Sequence, residues 1–255
     1  MASPNFAPVH SAVPNFHSHS IAPYGLPIAD TSISGVLSAP RSNLSEQTLA
    51  GLERMAHITT YPEGALIFVE GQDPRGVFVL CQGRVKLSST NRDGKTFILR
   101  IVEPGEFLGL HEIVTSRPHE LTMETLQPSQ LAFIGRNDFL PFLKRHADLC
   151  LHVTQQLSSD CQSAYEVIRS IGLSHSVSEK LARLLLQWSD GAQKSAGALR
   201  IKLALTHEEV AQLIGTTRET VTRILGDFRR RRVLEIKGAT LLIRDRAALE
   251  RMVQA

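Results

Sequence analysis

The sequence predicts an α+β chain in three parts: a small antiparallel β barrel or roll, one long helix that pairs with a copy of itself, and a winged helix-turn-helix. Three observations predict it. Between Thr59 and Ile134, short apolar runs alternate with Gly-containing turns. From Asp148 to Ile171, apolar and small residues recur every three or four positions without a break. Residues 206–228, THEEVAQLIGTTRETVTRILGDF, place two short amphipathic segments on either side of a glycine. Closely spaced turns between short apolar runs mark strands, and a 3–4 spacing marks helices.

Residues 1–40 carry prolines at 4, 8, 14, 23, 27 and 40 among Ser, Ala and His, with no period, so a disordered tail is expected there. His10, His17 and His19 are scattered through it, either incidental or as a metal-binding tail. Leu44–Ile58 has helical spacing, with Ser45 placed to cap it. The roll is read over residues 41–146, with strands at 65–69, 77–80, 84–88, 96–102, 121–124 and 130–134. Turns fall at Glu70–Asp73, Asn91–Gly94 and Pro104-Gly105.

The long helix is read over residues 147–172, with Cys150, Val153, Leu157, Cys161, Ala164, Ile168 and Ile171 on one stripe. Three heptads of such a stripe suit a parallel two-helix seam, and Val153, Leu157, Cys161, Ala164 and Ile168 are its expected residues. The same stripe can pack on the chain's own strands, and both can hold at different heights. Gly172–Ser176 is the expected hinge into a DNA-binding domain over residues 173–255.

In that domain, Thr206 followed by Glu209 is the reciprocal N-capping pattern. Val210, Leu213 and Ile214 form an apolar stripe, and Gly215 ends it at a sharp turn. Thr216 or Thr217 caps a second helix that buries Val221, Ile224, Leu225 and Phe228. Arg218, Glu219, Thr222 and Arg223 are left for solvent. Arg donates two parallel hydrogen bonds to guanine, and Glu accepts from the cytosine amino group, so this face suits the DNA major groove. Thr206 and Thr217 complete the expected DNA contacts. The bland alternative is a solvated face carrying an intrahelical ion pair. Arg229–Arg232 close the helix, where cations suit the dipole and can meet phosphates. Residues 233–236 and 240–243 with a turn at Gly238 read as the wing, and 199–203 as a short strand ahead of the first helix.

Charge agrees. Residues 178–255 hold 15 Lys and Arg against 9 Asp and Glu, and residues 1–177 hold 13 against 16, so the net +3 of the 255-residue chain conceals a basic C-terminal part. No apolar run is long enough to span a bilayer and no leader-like start is visible, so a cytoplasmic protein is expected. Three cysteines without CxxC spacing argue against a disulfide framework or a structural zinc site, and no metal site is read. No nucleophile–base pair or phosphate-cradling Gly loop appears, so an enzyme is not expected.

The phrases EGQDPRGVFVLCQGRVKLSS and NRDGKTFILRIVEPGEFLG, the long helix and residues 206–228 resemble the Crp/Fnr superfamily of bacterial transcription regulators over about residues 45 to 250. The resemblance implies a cyclic-nucleotide-binding-type jelly roll, a homodimer, double-stranded DNA as partner and RNA polymerase as a second one. Arg218, Glu219 and Arg223 match the Crp-type recognition pattern, implying a TGTGA-like half-site rather than TTGAT. The effector segment departs from the family. Its cyclic-AMP-binding members place Glu after Phe-x-Gly, and later Arg-Ser or Arg-Thr. Here Phe107-Leu108-Gly109 is followed by Leu110 and His111, and further on by Arg117, Pro118, His119 and Glu120. Leu110 accepts no ribose hydrogen bond and Glu120 repels a phosphate, so cyclic AMP is not expected; Arg117 substitutes only if the loop register shifts. No cysteine precedes Cys81, so an Fnr-like iron–sulfur cluster is not expected. His111 and His119 are candidate haem ligands, against the reading that they are polar loop residues facing solvent. Cys150 and Cys161 are candidates for cross-chain oxidation, against inert buried thiols.

Two functions follow. One is a dimeric, sequence-specific transcription regulator on an inverted repeat. The other is a small-molecule or redox sensor whose primary activity is ligand binding in the roll.

Overall fold

A computed structural model describes residues 32–38, 43–173, 176–190, 193–195, 198–202, 205–238 and 240–254. Most of the expected tail, residues 1–31, and Ser174 and His175 of the expected hinge lie outside these. The elements run α1 (Ile33–Leu37), α2 (Glu46–Met55), β1 (His57–Tyr61), β2 (Leu66–Phe68), β3 (Gly76–Gln82), β4 (Val85–Thr90), β5 (Thr96–Val102), β6 (Phe107–Leu108), α3 (Leu110–Thr115), β7 (Thr122–Thr125) and β8 (Ser129–Gly135). There follow α4 (Arg136–Arg145), α5 (Ala147–Leu173), α6 (Val177–Ser189), β9 (Gln193–Ser195), β10 (Ala198–Lys202), α7 (His207–Ile214), α8 (Arg218–Arg230), β11 (Leu234–Lys237), β12 (Thr240–Ile243) and α9 (Arg246–Gln254).

Two antiparallel sheets form the roll, in strand orders β1-β8-β3-β6 and β2-β7-β4-β5. The surroundings of β3 explain why its sequence is apolar from Val77 to Cys81. Successive side chains leave a strand on opposite faces. Val77, Val79 and Cys81 enter a core shared with the helices, while Leu80 enters the core between the sheets and Phe78 packs against its edge. The inter-sheet core holds Phe68, Leu80, Val85, Leu87, Val102, Leu108, Met123 and Leu131.

Within the expected tail, residues 32–38 form a capped helix and its flanks. Ser32 caps α1 through Gly35 N, and Ile33 and Leu37 are buried in the helix-side core, with the Ser34 hydroxyl donating to Glu53 on α2. A five-residue helix has too little period to read, and only the pocket it enters stabilises it. Helix α4 was hidden for another reason: Pro141 sits inside it, yet Phe139 and Phe142 still anchor it in that core. On α2, Ser45 caps as expected, and Asp148 at the start of α5 accepts from Ser45 N at 2.9 Å and from the Thr48 hydroxyl at 2.7 Å. Burial alone would push the Asp148 carboxyl up, but these hydrogen bonds carry it well below the ordinary carboxylate range.

Helix α5 divides its apolar stripe by height. Leu149 and Val153 are buried in the roll's helix-side core and Leu157 packs on it. Val153 therefore belongs to the chain's own core and not to a seam. Along the apolar stripe beyond Leu157 the cover is lost: Cys161 is exposed, Ala164 is half-buried, and Tyr165 and Ile168 are 56% and 64% exposed. Tyr165, one turn after Cys161, was missed because an aromatic with a hydroxyl reads as neither core nor surface. Cys150 and Cys161 are exposed thiols rather than buried ones, whereas Cys81 is buried and burial pushes its thiol up to about 11.

The C-terminal sheet has order β11-β12-β10-β9, and α6, α7, α8 and α9 pack with it around Leu181, Leu185, Val210, Val221, Ile224, Leu225, Phe228, Leu241 and Leu249. This unit also touches the roll. Ile101 on β5 and Leu126 pack against its core, and the Gly215 turn faces the Phe97 ring.

Candidate nucleic-acid interface

The helix-turn-helix is assembled by local chemistry. The Thr206 hydroxyl accepts from Glu209 N at 3.2 Å while Glu209 Oε2 accepts from Thr206 N at 2.7 Å, both halves of a capping box. Gly215 ends α7 at φ 70°, a left-handed conformation that favours glycine. Thr217, rather than Thr216, caps α8 by accepting from Thr220 N at 3.3 Å. The four apolar residues of α8 are buried as the spacing requires, and Arg218, Glu219, Thr222 and Arg223 are all exposed on its other faces.

These side chains differ in readiness. Arg218 and Arg223 have no acceptor among the described residues, so their guanidinium donors are free for a partner. The backbone N–H of Glu219, then the Thr217 hydroxyl and the Arg218 charge, hold the Glu219 carboxyl below its ordinary range, so it accepts hydrogen bonds at any working pH. Thr222 is partly committed: its hydroxyl donates to Arg218 O at 2.9 Å and lies 2.9 Å from His207 Nδ1. His207 thus ties the first residue of α7 to the recognition face. Sequence reading missed it, although its place directly after the Thr206 cap was a usable signal. Thr206 and Thr217 spend their hydroxyls as caps, while both residues remain exposed.

Beyond the helix, β11 and β12 pair as the wing, with Lys237 opposite Thr240 and Gly238 at φ 56°. Arg244 reaches Glu235 across it at 3.1 Å, and this contact lowers the Glu235 carboxyl. Ala239 in the wing turn and Leu203 of the expected strand lie outside the described residues.

The effector segment is placed quite differently. Leu108 and Leu110 are buried, and Gly109 at φ 80° starts α3, an unforeseen helix. His111, Arg117 and Glu120 are exposed, with His111 Nε2 3.9 Å from Glu120 Oε1. A lone loop histidine is expected to face solvent, and the fold corrects this for His119, which is 4% exposed. Its ring stacks on Phe68 at 3.8 Å and 7°, and its backbone joins the Gly71-Gln72 turn through bonds of 2.7 and 2.9 Å. His119 Nδ1 stands 3.6 Å from Glu112 Oε1, beyond hydrogen-bond reach, and is a buried polar atom with no hydrogen-bond partner among the described residues. Burial pushes the Glu112 carboxyl up, but the facing His119 ring and a backbone N–H outweigh it and hold the carboxyl below its usual range.

Two further groups tie this segment to α5. The Gln156 amide accepts from Phe107 N at 2.9 Å and donates to Phe107 O at 2.6 Å, taking the place of a neighbouring strand. Arg100 bridges Glu106 at 2.6 Å and Asp160 on α5 at 3.2 Å. Burial pushes the Asp160 carboxyl up, and Glu106 adds to it despite Arg100. Polar residues at these helix positions gave no signal in the sequence.

Known proteins share this plan. Residues 58–146 match the cyclic nucleotide-binding domain, and residues 179–252 match the Crp-like helix-turn-helix domain. The chain is 26% identical over 205 residues to a CRP-like cAMP-activated global transcriptional regulator of Mycobacterium tuberculosis, covering 80% of this chain and 91% of that protein. It is 27% identical over 194 residues to the global nitrogen regulator of Synechocystis, covering 75% and 86%. Among solved structures, a CooA variant from Carboxydothermus hydrogenoformans superposes with a TM-score of 0.70 at 23% identity, covering 88% of this chain and 97% of that one.

Proposed function

Because the chain is a Crp/Fnr-type transcription regulator by both of its domains, we propose that it acts as a homodimer on an inverted repeat of TGTGA-like half-sites. The observation that carries this is the exposed trio Arg218, Glu219 and Arg223 on one capped, fully anchored helix. Two such helices related by a twofold axis read half-sites about 34–36 Å apart. The unpartnered upper stripe of α5, Cys161, Ala164, Tyr165 and Ile168, supports that pairing.

The roll does not hold a cyclic nucleotide in the manner of the cAMP-activated relatives. Leu110, at the position of the family's ribose acceptor, is buried and apolar. His119 lies against the neighbouring Gly109, Glu112 faces the His119 ring, and Arg117 is exposed. The chain recognises DNA, and the roll supplies the dimer scaffold, with RNA polymerase as the expected downstream partner.

The test is binding of the full chain to a duplex with TGTGA and TCACA one helical turn apart, against a scrambled duplex, with sedimentation to give the stoichiometry. Specific binding by a dimer is expected and is unchanged by cyclic AMP. Equal affinity for both duplexes, or a monomer at binding concentrations, would sink the reading.

A further inference from the structure

Two non-glycine residues among those described adopt positive φ, Ser116 at 58° and Arg232 at 59°. Such a conformation costs free energy for any residue with a Cβ, and it persists where something compensates. For Ser116 the compensation is internal: its hydroxyl accepts from the Arg136 guanidinium at 2.6 Å. Arg232 has no such return. Its backbone closes α8 in a Schellman turn, with Val233 N donating to Phe228 O at 2.9 Å and Arg232 N to Arg229 O at 3.0 Å. This is the position where glycine is usual. Its side chain is exposed and meets no acceptor among the described residues. The fold would be served better by glycine, so the guanidinium is retained for something outside the chain.

The neighbours indicate what. Arg230 and Arg231 are partly neutralised by Asp227, at 3.3 and 3.8 Å. Arg229 is exposed and meets no acceptor among the described residues, and lies eleven residues after Arg218 on the same helix face, about 16 Å along the axis. A recognition helix seated in the groove by Arg218 and Arg223 carries Arg229 on that same face at its far end, and the exposed Arg232 follows two residues after its last one, close enough for a long side chain to reach the phosphate wall. We infer that Arg232 is a phosphate anchor: it clamps the DNA backbone at the exit of the recognition helix and fixes how deep that helix sits, at the expense of fold stability. This rests on the DNA-binding reading above, and concerns register and affinity rather than base choice.

The experiment compares Arg232→Gly, Arg232→Lys and Arg218→Ala in the full chain, by melting temperature and by DNA affinity against salt on the TGTGA-like and scrambled duplexes. Arg232→Gly is expected to melt at or above the wild-type temperature. It should bind both duplexes roughly 3- to 10-fold more weakly, with the log–log salt slope reduced by about two, one contact from each protomer. Arg232→Lys keeps the slope. A lowered melting temperature in Arg232→Gly means the side chain served the fold, and an unchanged slope means it meets no phosphate; either overturns the inference. An unchanged slope accompanied by lost binding to an acidic polypeptide such as polyglutamate overturns it in favour of a protein partner. Arg218→Ala separates the two levels: if it loses no base preference, the recognition-helix reading fails, whatever Arg232 does.

Discussion

The recognition helix and the effector segment were equally visible as motifs, and the fold treats them in opposite ways. On α8, Arg218, Glu219 and Arg223 project into solvent from a helix whose other face is locked in a core. Around Gly109 the chain turns inward: Leu110 and His119 are 3% and 4% exposed, and Glu112 faces the His119 ring across 3.6 Å. A surface that reads a polymer is convex, and one amphipathic helix suffices to build it. A small-ligand site is concave, and its contents depend on which remote side chains fill it. The contrast is one of surfaces: the charged residues of α8 stay in solvent, while Leu110 and His119 pack inward.

The largest expected effect breaks the comparison on its concave side. Leu110→Glu restores the family's carboxylate at that position, but buries an uncompensated charge. It is expected to cost about 3–5 kcal/mol in chemical denaturation and to gain no calorimetric binding of cyclic AMP. A stable Leu110→Glu protein that binds cyclic AMP would show the pocket to be open after all. On the convex side, Arg218→Ala is expected to leave the melting curve within about 0.5 kcal/mol while losing roughly 1–3 kcal/mol of binding per half-site, only where guanine is present. A uniform loss on all sequences would demote Arg218 to a phosphate contact.

A smaller effect sharpens the convex side. Thr222→Val removes the hydroxyl that joins His207 to α8, and is expected to weaken specific binding by about 0.5–1.5 kcal/mol. A change in salt slope without a change in base preference would place the role of Thr222 on the backbone instead. The smallest effect concerns pH. The Glu112 carboxyl is held below its ordinary range, so its contribution is present above the unfolded value of about 4.3 and disappears as pH falls through the folded value. Glu112→Gln is therefore expected to lose less stability than wild type on acidification below about pH 4, and to be no more sensitive above pH 6. Parallel acid-denaturation curves for the two proteins would show that the His119 ring does not hold that charge.

Legibility followed the range of the interactions. The capping box at Thr206 and Glu209, the Gly215 turn and the buried stripe of α8 were all readable, because each depends on residues within a turn or two. Although β1 begins inside the expected 44–58 helix and the two-residue β6 was not read as a strand, six strands of the roll were readable from their turns. Helices α1, α3 and α4 were not: one is five residues long, one starts from a left-handed glycine, and one contains proline. Within the site, His207 sat beside a recognised cap and was passed over. Gln156 and Arg100 act across 49 and 60 residues of chain, and no local pattern announces them.

The stripe on α5 lies between these cases. Its period fixed a helix with one apolar side, but period alone does not say what covers that side. The roll covers Leu149 and Val153, and its edge leaves Tyr165 and Ile168 bare. The sequence by itself determined the helix-turn-helix, its outward charges and the class of partner those charges suit, since helical period and capping are written into neighbouring residues. Only the tertiary structure decided that His119 fills the roll's interior, where the exposed part of α5 begins, and that Arg232 holds a glycine's conformation. Those depend on which distant surfaces meet, and no window of the chain contains both.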